Sequence, residues 1–283
     1  MERLSEFNYK FKDIQNHQHP VVFAWNEALN YLDFPVDSPW RIFGEKFAKS
    51  HPDLNYSPNA YHNQIHSAEA IFASSILVKE EFTKEHLHHY APYLLFGMMC
   101  HDIAHNGKTN QYPYELEKKA VQSMKEHLNT PEFESLWKNN FEKNYGDFSH
   151  FQRRLTRLIL GTEFKVGVEA NVKDYEKNKN EPFNKINMLA NEADIFVSVN
   201  EYFGNEKGML LSEEQKMPAL ATEKGRMFFL EHLAKYKSDA SKKLGVQEHI
   251  NYQINMGNLT DKIKDIRQNS LTKNDLKDTP KIK

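Results

Sequence analysis

The chain has 283 residues, 39% hydrophobic content, 37 Lys plus Arg against 39 Asp plus Glu and a formal charge of -2. That is apolar mass enough for one large core or two small ones, and it excludes a global field that would draw nucleic acid or an anionic membrane. The single cysteine, Cys100, excludes an intramolecular disulfide and a Cys-rich zinc module and fits a reducing compartment.

In chain order, the opening MERLSEFNYK is charged and lacks an apolar signal core. The longest apolar run, APYLLFGMMC, is too short to span a bilayer, so a cytoplasmic protein is expected. With only 11 Gly and 11 Pro, helix is the better reading throughout. Residues 1–39 read as an N-terminal helical extension, and KSHPDLNYSPNA reads as a loop leading into YHNQIH. There His62 and His66 stand four residues apart. If the stretch is helical, both imidazoles project from one face, about 5–6 Å apart at Cβ, placed to share a metal or to divide metal binding from proton transfer.

Apolar residues then recur at threes and fours in AEAIFASSILVKEEF and PYLLFGMMCHDIAH, which predicts two helices. Pro92 suits the first position of the second, because its missing N–H is an orphan there. EHLHHY just before it reads as solvated helix surface. NGKTNQYP is a predicted loop, FQRRLTRLILGTEF a helix, and EANVKDYEKNKNEP a polar, charged loop. FNKINMLANEADIFVSVNEYF and KGRMFFLEHLAKY complete a main helical domain over 40–235. Residues 236–283 turn polar and read as a C-terminal helix and a mobile tail.

Chemistry concentrates in HDIAHNGKTN, where His101 and Asp102 are adjacent and His105 follows one turn on. The apolar run LLFGMMC delivers this pair to the interior, where both side chains are costly without partners. A divalent cation resolves that conflict by compensating the carboxylate and using the imidazole lone pair. Asp194, a carboxylate inside the apolar LANEADIFVSV, is the candidate fourth ligand. His66, His101, Asp102 and Asp194 form a mixed nitrogen and oxygen set that suits zinc, manganese or iron better than calcium.

Together these strings resemble the HD phosphohydrolase superfamily and, within it, the catalytic domain of class I cyclic-nucleotide phosphodiesterases. YHNQIH is similar to that family's YHNxxH motif and HDIAHNG with Asn110 to its HDxxHxGxxN motif. LGTEF and EADIF are similar to its later Thr-Asp and Ala-Asp segments, and the likeness runs from about Trp40 to about Leu233. The resemblance implies an all-α, compact multi-helix bundle around a two-metal site. Zinc, or manganese or iron, would sit tightly on His66, His101, Asp102 and Asp194, and Asp102 would bridge to magnesium or manganese held mostly through waters. It implies His62 as general acid, His105 near the bridging water, and Glu117, or less readily Glu115, orienting His62. Thr162 with Glu163 would order water around the second metal, and Tyr61, Thr162, Phe228 and Phe229 would meet the substrate. The implied reaction converts a 3′,5′-cyclic nucleotide to a 5′-nucleoside monophosphate by attack of a bridging hydroxide. Its partner would be a small-molecule phosphoester, with no nucleic acid and no membrane, and a homodimer stays an open option.

Several positions depart from the family pattern. HSAEA replaces HAxDV and puts Glu69 where the family has Asp, Lys118 and Lys119 replace paired histidines after Glu117, and Glu163 replaces the Asp after Thr162. The purine-fixing Gln has no counterpart in ATEKGRMFFLEHL, where Arg226 stands near its place. Two rivals follow: an HD hydrolase of another nucleotide or phosphoester, and a metal-stabilised binding protein whose catalysis is lost. His62 argues against the second, because a binding module has no use for an acid.

Overall fold

The computed structural model of the chain describes residues 2–257, and among them every regular element is helical, with no strand. The tail expected over the last residues, 258–283, lies outside the described residues. The long helices are α1 (Asn8–Asn16), α2 (Pro20–Tyr31), α3 (Pro39–Ser50), α4 (Gln64–Glu81), α5 (Lys84–Cys100) and α6 (Glu115–Leu128). They continue with α7 (Pro131–Asn140), α8 (Phe148–Gly161), α9 (Val166–Lys177), α10 (Pro182–Asp194), α11 (Gly204–Gln215) and α12 over residues 246–257. Among the described residues, no helix is long and apolar enough to cross a membrane.

The bundle is built around α4, which is buried without interruption from His66 to Val78. A helix enclosed on all sides must offer small side chains where neighbours approach, and Ser67, Ala68, Ala70, Ala73, Ser74 and Ser75 do so. The two serine hydroxyls at 74 and 75 are satisfied locally, donating to the carbonyls of Ala70 and Phe72. α1, α2, α5 and α10 pack around it. A second apolar centre joins α3, α7 and α8, where Trp40, Phe43, Trp137, Phe141 and Phe151 meet ring to ring.

Three elements differ from expectation, each for a physical reason. α5 begins at Lys84 and runs through Pro92. A proline there deprives the carbonyl of His88 of its intrahelical N–H. The Tyr145 hydroxyl replaces it, donating to that carbonyl at 3.0 Å while accepting the Trp40 indole N–H at 3.1 Å. EANVKDYEKNKNEP is largely helix: Gly167, Asn171 and Tyr175, four residues apart, turn inward along α9, while its other positions, Val166, Val168 and Val172 among them, are half-buried or exposed. Beyond Lys237 the chain still packs, with Ala240, Leu244, Val246 and Ile250 buried.

At the end of α3, His51 is buried and its ring lies 5.0 Å from that of His127 on α6. Its Nε2 is 3.0 Å from the Ser123 hydroxyl, while its Nδ1 is buried without a hydrogen-bond partner. Burial, and then the neighbouring His127, push its pKa down to about 4.

Two outcomes follow from these contacts. Tyr145→Phe strands both the His88 carbonyl and the Trp40 indole N–H, and should cost about 1–3 kcal/mol, read as a lowered Tm with activity per folded molecule retained. For His51, the folded state holds the ring neutral while the unfolded chain takes up a proton below its ordinary pKa of about 6.5. Its contribution is therefore full above that value and is lost as pH falls from about 6.5 toward about 4. Urea midpoints at pH 7 and pH 5 should differ less for His51→Gln than for the wild type.

Candidate active site

Asn63 fixes where α4 begins. Its side-chain oxygen accepts the N–H groups of Ile65 and His66 at 2.8 and 3.3 Å, and its amide donates back to the carbonyls of Asn59 and Ala60. The helix therefore starts at Gln64 with His66 in its first turn, and His62 lies in the loop before the cap. The two imidazoles do not share a helix face. Their ring centroids are 5.7 Å apart and nearly perpendicular.

His101 follows directly on α5. Its Nδ1 donates to the Met98 carbonyl at 2.7 Å, which fixes the tautomer and turns Nε2 inward. Asp102 comes next, before the chain reverses at Ala104, a non-glycine residue with φ of 63° whose N–H is caught by Asp53 at 2.8 Å. Asp194 is the last residue of α10, delivered where the helix breaks into the short Phe196–Val199 segment.

These four side chains converge. His66 Nε2 is 3.0 Å from Asp194 Oδ1 and 3.2 Å from Asp102 Oδ2. His101 Nε2 is 3.1 Å from Asp102 Oδ2, 3.3 Å from Asp194 Oδ1 and 3.2 Å from His66 Nε2. Ligands bonded to one cation at about 2.0–2.2 Å stand roughly 3.0–3.5 Å from one another, so the set fits a divalent transition metal. Asp102 Oδ2 is buried and has no hydrogen-bond partner, as an atom reserved for a cation would be. Electrostatics agree. Burial opposes charge on His66, yet the contacts of Asp102 and Asp194 overcome it and raise its pKa to about 9. Burial likewise resists ionisation of both carboxylates, and His101 heads the interactions that hold them below the usual range. Two carboxylates here demand positive charge at one point, and a divalent ion supplies it with both imidazoles neutral.

A second grouping adjoins the first: ligand atoms of His62, Asp102 and His105 lie within 4.8 Å of one another. The rings of His62 and His105 stack at 3.9 Å. His105 Nδ1 accepts the Gly107 N–H at 3.1 Å, and burial followed by the His62 charge pushes its pKa to about 4, so it stands neutral. Glu117 is held above the ordinary carboxylate range by burial and then by Glu163 and Asp102, with hydrogen bonds from Asn110 working the other way. Glu117 and Glu163 thus bring further negative charge to the Asp102 side of the site.

The expectation that Glu117, or Glu115, orients His62 is corrected by these contacts. Glu117 accepts from Asn110, and Glu115 pairs with Lys119. The carboxylate on His62 Nδ1, at 2.5 Å, is Glu214 of α11, which also accepts the backbone N–H groups of Tyr61 and His62 at 2.7 and 2.9 Å. Thr162 and Glu163 are engaged in structure: Thr162 donates to the Ile159 carbonyl, and Glu163 accepts the N–H groups of Lys165 and Gly167 at the start of α9. Tyr61 is hydrogen-bonded to Ser198 at 3.0 Å, and its ring lies 4.8 Å from that of His66. Phe228 is 56% exposed against His232, whereas Phe229 packs on the core. Arg226 is spent on the carbonyls of Ser198 and Asn200 and on Gln253 of α12.

Residues 61–201, the stretch that carries His62, His66, His101, Asp102 and Asp194, match the 3′5′-cyclic nucleotide phosphodiesterase family. No curated protein matches the chain at a significant level. Among solved structures, the phosphodiesterase domain of rhodopsin phosphodiesterase from Salpingoeca rosetta is 14% identical, with a TM-score of 0.64 and coverage of 96% of this chain and 98% of that one. The phosphodiesterase domain of the RhoPDE fusion protein from the same choanoflagellate is 15% identical, with a TM-score of 0.62 and coverage of 91% and 93%. LmjPDEB1 in complex with IBMX is 15% identical, with a TM-score of 0.63 and coverage of 93% and 91%. With the family match spanning the clustered His and Asp side chains, and the fold shared over nine-tenths of the chain, the chain belongs to the 3′5′-cyclic nucleotide phosphodiesterase family and is a hydrolase of phosphodiesters.

Proposed function

We propose that the chain hydrolyses a 3′,5′-cyclic nucleotide to the 5′-nucleoside monophosphate, with His66, His101, Asp102 and Asp194 holding a tight divalent metal, a second divalent metal beside Asp102, and His62 as the general acid. The observation that carries this reading is an imidazole with a free Nε2 standing beside a four-ligand cluster. Glu214 occupies His62 Nδ1, and the side chain is 17% exposed, so Nε2 is the nitrogen left to meet a ligand. A polar cavity of about 120 Å³ lined by Asp53, His62, Asp102 and His105 opens there. When bound, divalent cations supply a water of lowered pKa and offset charge on the phosphoryl oxygens. His62 does the complementary work: as the oxygen of water adds to phosphorus and the P–O3′ bond breaks, Nε2–H passes to O3′. His105 Nδ1 is taken by the Gly107 N–H, so the neutral ring carries its proton on Nε2.

A second reading, hydrolysis of another nucleotide or phosphoester, is favoured by one observation. Arg226, near the position where the resemblance expects a base-reading amide, is committed to Ser198, Asn200 and Gln253. Purified protein tested against cyclic and linear nucleotides, with and without manganese, separates the two: turnover confined to linear phosphoesters would replace the first reading with the second.

Metal content is a separate measurement. Protein as purified should carry tightly held transition metal, and His101→Ala or Asp194→Ala should strip it and lower Tm, because ligand loss leaves buried charge unpaired. Elemental analysis that found wild-type protein metal-free after loading would overturn the assignment. His62 and His66 should fail differently. His62→Ala should keep fold and metal and lose about 10²- to 10⁴-fold in turnover of a cyclic nucleotide, with a much smaller loss on a nitrophenyl phosphodiester, whose leaving group departs unaided. His66→Ala should lose metal and both activities.

A further inference from the structure

Resting on the reading of a second metal beside Asp102, we propose that Asp53 is a positioning residue for that side of the site. It holds the turn that joins Asp102 to His105 in a conformation that the turn's own residues disfavour. The turn closes through the His105 N–H, which donates to the Asp102 carbonyl at 3.1 Å, and Ile103 is buried beneath it. Ala104 stands at φ of 63°, and three residues on Gly107 stands at 72°. A left-handed backbone suits glycine, and asparagine or aspartate can ease it with a local hydrogen bond, but alanine has neither recourse. At 107 the sequence supplies glycine. At 104 it supplies alanine together with a carboxylate from 51 residues upstream: Asp53 Oδ2 accepts the Ala104 N–H at 2.8 Å.

Asp53 can impose this conformation only if it is itself fixed, and the segment around it is. The Asn55 amide donates to the carbonyls of Ala48, Lys49 and His51 at 3.1, 3.1 and 2.9 Å, folding the chain back on the end of α3. Leu54 is buried, and His51 is tied to Ser123 of α6. The mount is thus built on α3, apart from the helices that deliver the four clustered side chains. What it sets is spacing. Ligand atoms of His62, Asp102 and His105 lie within 4.8 Å of one another, two of the three come from the ends of this turn, and Asp53 lines the cavity beside them. Were Ala104 to relax to negative φ, His105 would turn away from Asp102. The tight set would keep its contacts, because His101 and Asp102 precede Ala104 and His66 and Asp194 stand on other helices.

The test uses the full-length protein loaded with zinc at the tight site, and the variants Asp53→Ala, Asp53→Asn, Ala104→Gly and the double Asp53→Ala/Ala104→Gly. Binding of added manganese is followed by the electron paramagnetic resonance of free Mn²⁺, so no turnover is needed. Asp53→Ala should keep its zinc and raise the Kd for manganese by roughly 10- to 100-fold, the usual scale for an outer partner of a metal site. Glycine takes the left-handed conformation unaided, so the double should recover most of that loss. Asp53→Asn, whose amide oxygen can accept the same N–H, should lose little. An unchanged Kd in Asp53→Ala, or a double no better than Asp53→Ala, would overturn the proposal. So would Asp53→Asn as impaired as Asp53→Ala, since charge and not the hydrogen bond would then be what matters. The strain has a readout of its own that stands even if Asp53→Ala fails to fold. Ala104→Gly alone should raise Tm, the reverse of its effect at an ordinary backbone position, and a fall would overturn the proposal. Wild-type protein that takes up no manganese beyond its zinc would overturn the two-metal reading and the role of Asp53 with it, whereas failure confined to the variants leaves that reading standing.

Discussion

Two carboxylates and two imidazoles meet at one internal point, and the remainder of the bundle is arranged to hold them there. Each carboxylate carries a desolvation cost of several kcal/mol when buried, so the cluster stands only if positive charge is present among its oxygens. The helices contribute ends rather than middles: the first turn of α4, the residues just past α5 and the last residue of α10. A ligand at a helix end can be aimed by its cap or by the break that follows. Asn63 does the first for His66, and the Met98 carbonyl sets the ring of His101.

His62 is positioned by different means from the four clustered side chains. His62 lies outside the helix, in a loop whose conformation is fixed by side chains: Asn59, Asn63 and Glu214 all bond its backbone or its neighbours. The cap at Asn63 falls between the two histidines and gives His66 a rigid helical mount while leaving His62 in the preceding loop. Four positions in sequence thus serve two chemistries because the helix boundary falls between them.

Much of the cluster was legible in the sequence because the residues violate their surroundings. His101 and Asp102 at the end of an apolar run, and Asp194 inside one, are costly in a plain core and so advertise a ligand. Glu214 carries no such mark. In LLSEEQK it looks like one of many acidic residues on a solvated face, and its burial depends on a loop some 150 residues away. Glu117 was legible as acidic and near the motif, but not its partner, since Asn110 competes for it. The α9 segment misled through composition: three inward positions suffice to bury a short helix, and one is a glycine and another an asparagine, neither of which reads as core. Pro92 misled because its disruption is repaired by Tyr145. The all-α class was legible because it rests on periodicity summed over many turns.

Long separations between partners have a consequence during synthesis. Asp194 joins His66 across 128 residues and Glu214 joins His62 across 152. At roughly 5–20 residues per second, His66, His101 and Asp102 leave the ribosome several seconds before Asp194 exists, and the His62 loop waits longer for Glu214. Through that interval the nascent chain exposes three good transition-metal ligands in an open, unselective arrangement. A cation on the proposed four-ligand set would therefore find its full set of donors only once Asp194 has been made.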